Sequence, residues 1–182
     1  MNRISKLPLI CCVVVLLAGC EEPTPEDIME QVNATRTITD QQAESLSNAE
    51  VALQLNGLTS ITDTQAEILS KAGAIYLHGI TSITDQQAES LGKVYRLSLS
   101  GLTSITDEQA ESLSKVVESL SLDGLNSITD KQAEILSKVK GLSLGGLTSI
   151  TDKQAEILSK VERLQLFGLT SLTDKQAESF RK

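Results

Sequence analysis

Hydrophobic residues recur along this chain in one fixed frame. In one copy Val94, Leu97, Leu99, Leu102, Ile105, Ala110 and Leu113 fill positions one, four, six, nine, twelve, seventeen and twenty of a unit. An Ile/Leu-Thr-Asp triplet marks the same frame at Ile38, Ile61, Ile83, Ile105, Ile128, Ile150 and Leu172, at steps of 23, 22, 22, 23, 22 and 22 residues. A period that constant signals stacked repeats, in which no unit buries its apolar face alone.

Within a unit the pattern changes period. The Leu-x-Leu pair alternates apolar and polar, which predicts a short strand. The six strands are expected around Leu53–Leu55, Ile75–Leu77, Leu97–Leu99, Leu120–Leu122, Leu142–Leu144 and Leu164–Leu166. Gly57, Gly79, Gly101, Gly124, Gly146 and Gly168 follow, where a residue without Cβ turns the chain most easily. Thr106-Asp107-Glu108-Gln109 then reads as a capping box opening a short helix, with Asp107 at the positive end of its dipole. Ala110 and Leu113 form the apolar face that docks onto the strand. Glu111 and Lys115 are spaced to pair along the helix, as are Glu67/Lys71, Glu89/Lys93, Glu134/Lys138, Glu156/Lys160 and Glu178/Lys182.

Each unit is thus strand, tight turn and short helix. In the two 23-residue steps the extra residue falls near Asn48–Val51 and Lys115–Val117, between a helix end and the next strand. There it leaves the inward leucines in phase, whereas inside a strand it would flip them to the other face.

The pattern Val-x-x-Leu-x-Leu-x-Gly-Leu-x-x-Ile-Thr-Asp resembles the leucine-rich repeat family, from about Thr37 to Lys182. It is closest to short bacterial repeats with an Ile-Thr-Asp element. The resemblance implies an α/β solenoid with parallel strands on a concave face and helices on a convex one. Position nine departs from the family pattern: Leu58, Ile80, Leu102, Leu125, Leu147 and Leu169 stand where asparagine or cysteine is usual, so the family's asparagine ladder is absent.

The N-terminal end has a different logic. Arg3 and Lys6 precede the apolar run Leu9–Ala18, too short to span a bilayer comfortably, which reads as a targeting segment over residues 1–19. Leu17-Ala18-Gly19-Cys20 resembles the lipobox of bacterial lipoproteins, which implies a lipid on Cys20 and a membrane anchor. Cys11 and Cys12 would leave with that segment, so the mature chain has one cysteine and no internal disulfide. Glu21 follows Cys20, and by the same resemblance the lack of aspartate there points to the outer membrane. Residues 20–27 form an acidic tether, although Thr24-Pro25-Glu26-Asp27 also has the form of a helix start. Residues 28–48 are assigned to an N-terminal helical cap and 49–182 to the solenoid.

Charge and composition remove several function classes. The chain has 24 acidic against 16 basic residues and 2% aromatics. No basic stripe offers itself to nucleic acid. The candidate surface comes from comparing the repeats, because the outward strand positions change from unit to unit while most others hardly do. In strand order they hold Gln54/Asn56, Tyr76/His78, Ser98/Ser100, Ser121/Asp123, Ser143/Gly145 and Gln165/Phe167. Position three adds Arg96 and Arg163 to smaller residues. Two readings stand: drift at solvated positions, or a surface recognising an unidentified protein partner, as extended solenoid faces do. In the second, Tyr76, His78, Arg96, Arg163 and Phe167 are the expected anchors, with Asn56, Ser98, Ser121, Asp123 and Gln165 around them.

Chemistry is not expected. His78, Ser100 and Asp123 share a column, but a triad needs histidine between nucleophile and carboxylate. His78 has too few neighbours for zinc, and Asp40, Asp63, Asp85, Asp107, Asp130, Asp152 and Asp174 are accounted for at helix starts. No cofactor, metal or nucleic acid is expected. The end at Phe180-Arg181-Lys182 leaves two alternatives, a seal by Phe180 with the charged tail or cover by a partner, self-association included.

Overall fold

The computed structural model describes residues 22–181. The expected targeting segment, Cys20 as the expected lipid site, Glu21 and Lys182 lie outside the described residues. Helix α1 (Pro25–Thr35) and helix α2 (Asp40–Ser47) come first, followed by six strand–helix units. These are β1 (Leu53–Gln54) with α3 (Asp63–Leu69), β2 (Ala74–Tyr76) with α4 (Asp85–Leu91), and β3 (Arg96–Ser98) with α5 (Asp107–Leu113). Then come β4 (Ser119–Ser121) with α6 (Asp130–Leu136), β5 (Gly141–Ser143) with α7 (Asp152–Leu158), and β6 (Arg163–Gln165) with α8 (Asp174–Ser179).

The strands pair in sequence order, all parallel, in one open sheet, and each helix from α2 onward packs on the next. This is an α/β repeat solenoid. Its core is a column of equivalent positions: Leu53, Ile75, Leu97, Leu120 and Leu142 pair in register and are buried. Leu55, Leu77, Leu99, Leu122 and Leu144 form a second fully buried row, with Ala66, Ala88, Ala110, Ala133 and Ala155 from the helices. The longer step is absorbed as the pattern requires. Ser119 pairs with Arg96, Leu120 stays opposite Leu97, and the inserted segment exposes Val117.

All six strands end one residue before the second leucine, and β2 to β6 also begin one residue before the first. In the first five units the second leucine gives its N–H to the next strand but its carbonyl to a turn, as Leu99 does to the Leu102 N–H at 3.1 Å. With its carbonyl taken by the turn, that residue leaves the ladder.

The glycine after each strand is explained by crowding and not by backbone angle, since no described glycine has positive φ. A Cβ on Gly101 would clash with the carbonyl oxygens of His78 and Ile80 in the preceding unit, and one on Gly124 with those of Ser100 and Leu102. Backbone therefore stacks on backbone at this corner of every unit.

Every helix opens with a threonine N-cap in a complete capping box. From α3 to α8 the glutamine of the box has a second task. While its Oε1 accepts the threonine N–H, its Nε2 donates to the isoleucine carbonyl one unit back: Gln65 to Ile38, Gln87 to Ile61, Gln109 to Ile83, Gln132 to Ile105, Gln154 to Ile128 and Gln176 to Ile150, at 2.8–2.9 Å. All six side chains are buried. This ladder satisfies carbonyls that would otherwise be stranded between units. Glutamate caps a helix equally well but has no proton to donate, which explains the amide at each of these positions.

Among the described residues the five expected pairs from Glu67/Lys71 to Glu156/Lys160 do not form. The helices end at the leucine before the lysine: in α5 the chain tightens at once, with Lys115 N–H on Ser112 and Val116 N–H on Leu113. The lysine therefore lies past the last helical turn and off the glutamate's face; Lys182 of the sixth pair is not among the described residues. Among the described residues the helix lysines pair between units instead: Lys131 with Asp107 at 2.9 Å, Lys153 with Asp130 and Glu134, and Lys175 with Asp152 at 3.1 Å.

At the N-terminal end α1 covers β1. Asn33 donates Nδ2–H to the Gln54 carbonyl and accepts the Gly57 N–H, both at 2.7 Å. The Gln54 N–H meets Met29 Sδ at 3.2 Å, and Val32 and Ile28 are buried. At the other end Phe180 packs half-buried beside Leu164, Leu166 and Leu169, and Leu172 stays exposed in the groove among them.

Candidate functional site

The outward strand positions share one face of the sheet, and the structure divides them into two clusters that sequence alone does not separate. The first follows the column His78, Ser98, Ser100, Ser121, Asp123 and Ser143. His78 Nε2 lies 2.9 Å from Ser98 Oγ, which lies 3.1 Å from Ser100 Oγ, which lies 2.9 Å from Ser121 Oγ. Ser121 donates to Asp123 Oδ2 at 2.7 Å, and Asp123 Oδ1 accepts from the Ser143 hydroxyl and the Gly145 N–H. Alternation of side chains brings positions five and seven of one strand to the same face, and parallel register sets each opposite its neighbour. A polar chain thus crosses four strands.

Partial burial pushes the Asp123 carboxyl up, but three hydrogen bonds and the nearby His78 outweigh it and hold the group below the usual carboxylate range. Ser98 is buried, and the Tyr76 ring meets His78 edge-on with centroids 6.1 Å apart. The serine touching His78 is Ser98, whereas Ser100 sits between serines. Asp123 touches serines and a backbone amide, so the histidine does not bridge a serine and a carboxylate.

The second cluster lies along position three. Arg163 Nη2 bonds both the Glu118 carboxylate, at 2.6 Å, and the Glu118 carbonyl, at 3.2 Å. Hydrogen bonding to Arg163 holds the Glu118 carboxyl below its ordinary range. The contact joins β6 to the segment before β4, passing over β5. Gly141 lies beneath it: a Cβ there would press on the Glu118 carbonyl oxygen at 3.1 Å but would meet Arg163 Nη2 at an ordinary 3.6 Å. Arg163, expected as an anchor, is therefore already engaged. Arg96 lies over the exposed Tyr95 ring at 5.8 Å and shares a groove with Tyr76, Glu118, Ser143, Arg163 and Gln165.

The remaining expected residues stand apart. Asn56 Nδ2 donates to Gln54 Oε1 at 3.3 Å, and Phe167 is 80% exposed at the edge. Sequence reasoning missed Glu118 and Tyr95, which flank the strands instead of lying within the outward positions. The available signal was Gly141, an absent side chain between two arginine-bearing strands. Among the described residues no three His, Cys, Asp or Glu side chains converge as a metal site would require.

No protein-family model matches the chain, and no curated protein matches it either.

Proposed function

We propose that this is a bacterial envelope lipoprotein of the leucine-rich repeat type, held at the outer membrane by a lipid on Cys20, whose sheet face binds a protein partner and performs no chemistry. The observation that carries this reading is the contrast between a repeated scaffold and a varied face. Capping glutamines and buried leucines recur from unit to unit, while Tyr76, His78, Arg96, Asp123 and Phe167 break the repetition on one side of the sheet. A rigid face of this kind loses little freedom on docking, which favours recognition.

Site-specific photo-crosslinking in cells tests it, with probes at Tyr76 and Phe167 on the sheet face, Glu108 on the helical face and Arg181 at the end. A discrete adduct of another protein from the two sheet probes is the expected result. Equal labelling from Glu108 would sink the reading. Fatty-acid labelling that survives Cys20→Ser would remove the anchor.

A second reading is favoured by the groove of Leu164, Leu166, Leu169, Leu172 and Phe180 beside β6: a structural envelope protein that self-associates through that end. It predicts adducts at twice the chain's mass from Arg181 alone.

A further inference from the structure

The polar column on the sheet face contains more order than its distances alone convey. A serine hydroxyl has one proton to donate, and an ionised carboxylate has none. Asp123, held ionised, accepts from both Ser121 and Ser143. Ser121 has therefore spent its only proton, and the 2.9 Å contact with Ser100 exists only if Ser100 donates. Ser100 in turn has none left for Ser98, so Ser98 donates across 3.1 Å. Ser98 then has nothing to give His78, and the 2.9 Å contact requires a proton on Nε2.

We infer that the column is a one-way hydrogen-bond chain with the Asp123 carboxylate as its sink, and that this carboxylate sets the tautomer of His78 through three intervening hydroxyls. The neutral histidine carries its proton on Nε2 and presents Nδ1 as an acceptor. Protonation of the ring adds a charge at Nδ1 without breaking any link. The device operates whether or not the face docks a partner.

A single substitution reverses the chain. In Asp123→Asn the amide oxygen stays toward the Gly145 N–H, a donor that cannot change role, and places the amide NH2 against Ser121. Ser121 then accepts and its own proton is freed; Ser100, 2.9 Å away, is the column's acceptor for it, and with Ser100 accepting, each link inverts in order. His78 Nε2 becomes an acceptor, and the ring proton moves to Nδ1.

The chain has one histidine, so nitrogen NMR on the histidine-labelled full chain reads the site without assignment. The measurement is made at about pH 8, above the ordinary titration of imidazole. The expected spectrum shows the Nε2–H form in the unaltered protein and the Nδ1–H form in Asp123→Asn. Asp123→Asn combined with Ser100→Ala cuts the chain, and His78 no longer holds the Nδ1–H form. An unchanged tautomer in an Asp123→Asn protein that still unfolds cooperatively overturns the inference. So does an Nδ1–H ring in the unaltered protein, a reading that stands even where the variant fails to fold.

Discussion

The two ends of the sheet are built from equivalent strands and treated in opposite ways. At β1 a helix lies across the edge, and the Asn33 side chain supplies both a donor and an acceptor to backbone that has no strand beside it. Leu53 and Leu55 beneath it are fully buried. At β6 the same positions, Leu164 and Leu166, are only partly buried, and Phe167 stands out from the edge. A repeat's leucines are therefore buried by what lies beside them and not by the repeat itself. The stability of such an array is a sum of units and interfaces, so equivalent residues contribute unequally along it.

This comparison can be broken first at its apolar core. Leu55→Ala is expected to cost about 2–5 kcal/mol, the range for a fully buried leucine. Leu166→Ala, at the same position of the last strand, should cost less than half as much in matched denaturant titrations. Equal losses would show that β6 is covered as well as β1.

Asn33→Ala comes next. It removes two hydrogen bonds, to the exposed Gln54 carbonyl and the partly buried Gly57 N–H, each worth about 0.5–1.5 kcal/mol net. Hydrogen exchange at Gly57 should accelerate in this variant while exchange at Leu144 stays unchanged. Acceleration along the whole sheet would mean that α1 holds up more than its own edge.

Glutamines with and without a preceding unit sharpen the contrast. Gln109→Ala removes both a cap and the bond to the Ile83 carbonyl, a loss of about 1–2 kcal/mol. Gln42→Ala removes a cap and an exposed contact to Gln31, and a smaller fall in melting temperature is expected. If the two fall alike, the ladder contributes nothing beyond capping.

The smallest effect belongs to the helix-start lysines, Lys131, Lys153 and Lys175, which occur only in α6, α7 and α8. Replacing all three by glutamine should lower the melting temperature only slightly even at low salt, because these pairs are exposed. The difference should shrink as salt is added. A loss that persists in high salt would mean that the side-chain stems, not the charges, make the contact.

Much of this architecture is legible in the sequence because it is local or repeated. Period two and the Thr-x-x-Gln box specify strand and helix within a few residues, and a constant spacing forces equivalent positions into register. The failures share a different character. Glu111 and Lys115 have the spacing of a helical pair, but the helix stops at Leu113, because the chain must turn back to the sheet within a few residues. Asn33 looks like one polar residue in an amphipathic helix, and only the bare edge of β1 makes it a surrogate strand.

By itself, then, the sequence determined the repeat, the inward leucines, the helix caps and the face on which variation collects. Each follows from hydrophobic period or from hydrogen bonds between residues three or four apart. Only the tertiary structure decided that the capping glutamines of α3 to α8 reach back 26 or 27 residues, that Arg163 passes over Gly141 to Glu118, and that one polar chain links His78 to Asp123. Those contacts depend on which side chains stacking brings within hydrogen-bond distance. That distance is set by the packing of neighbouring units, and no local pattern encodes it.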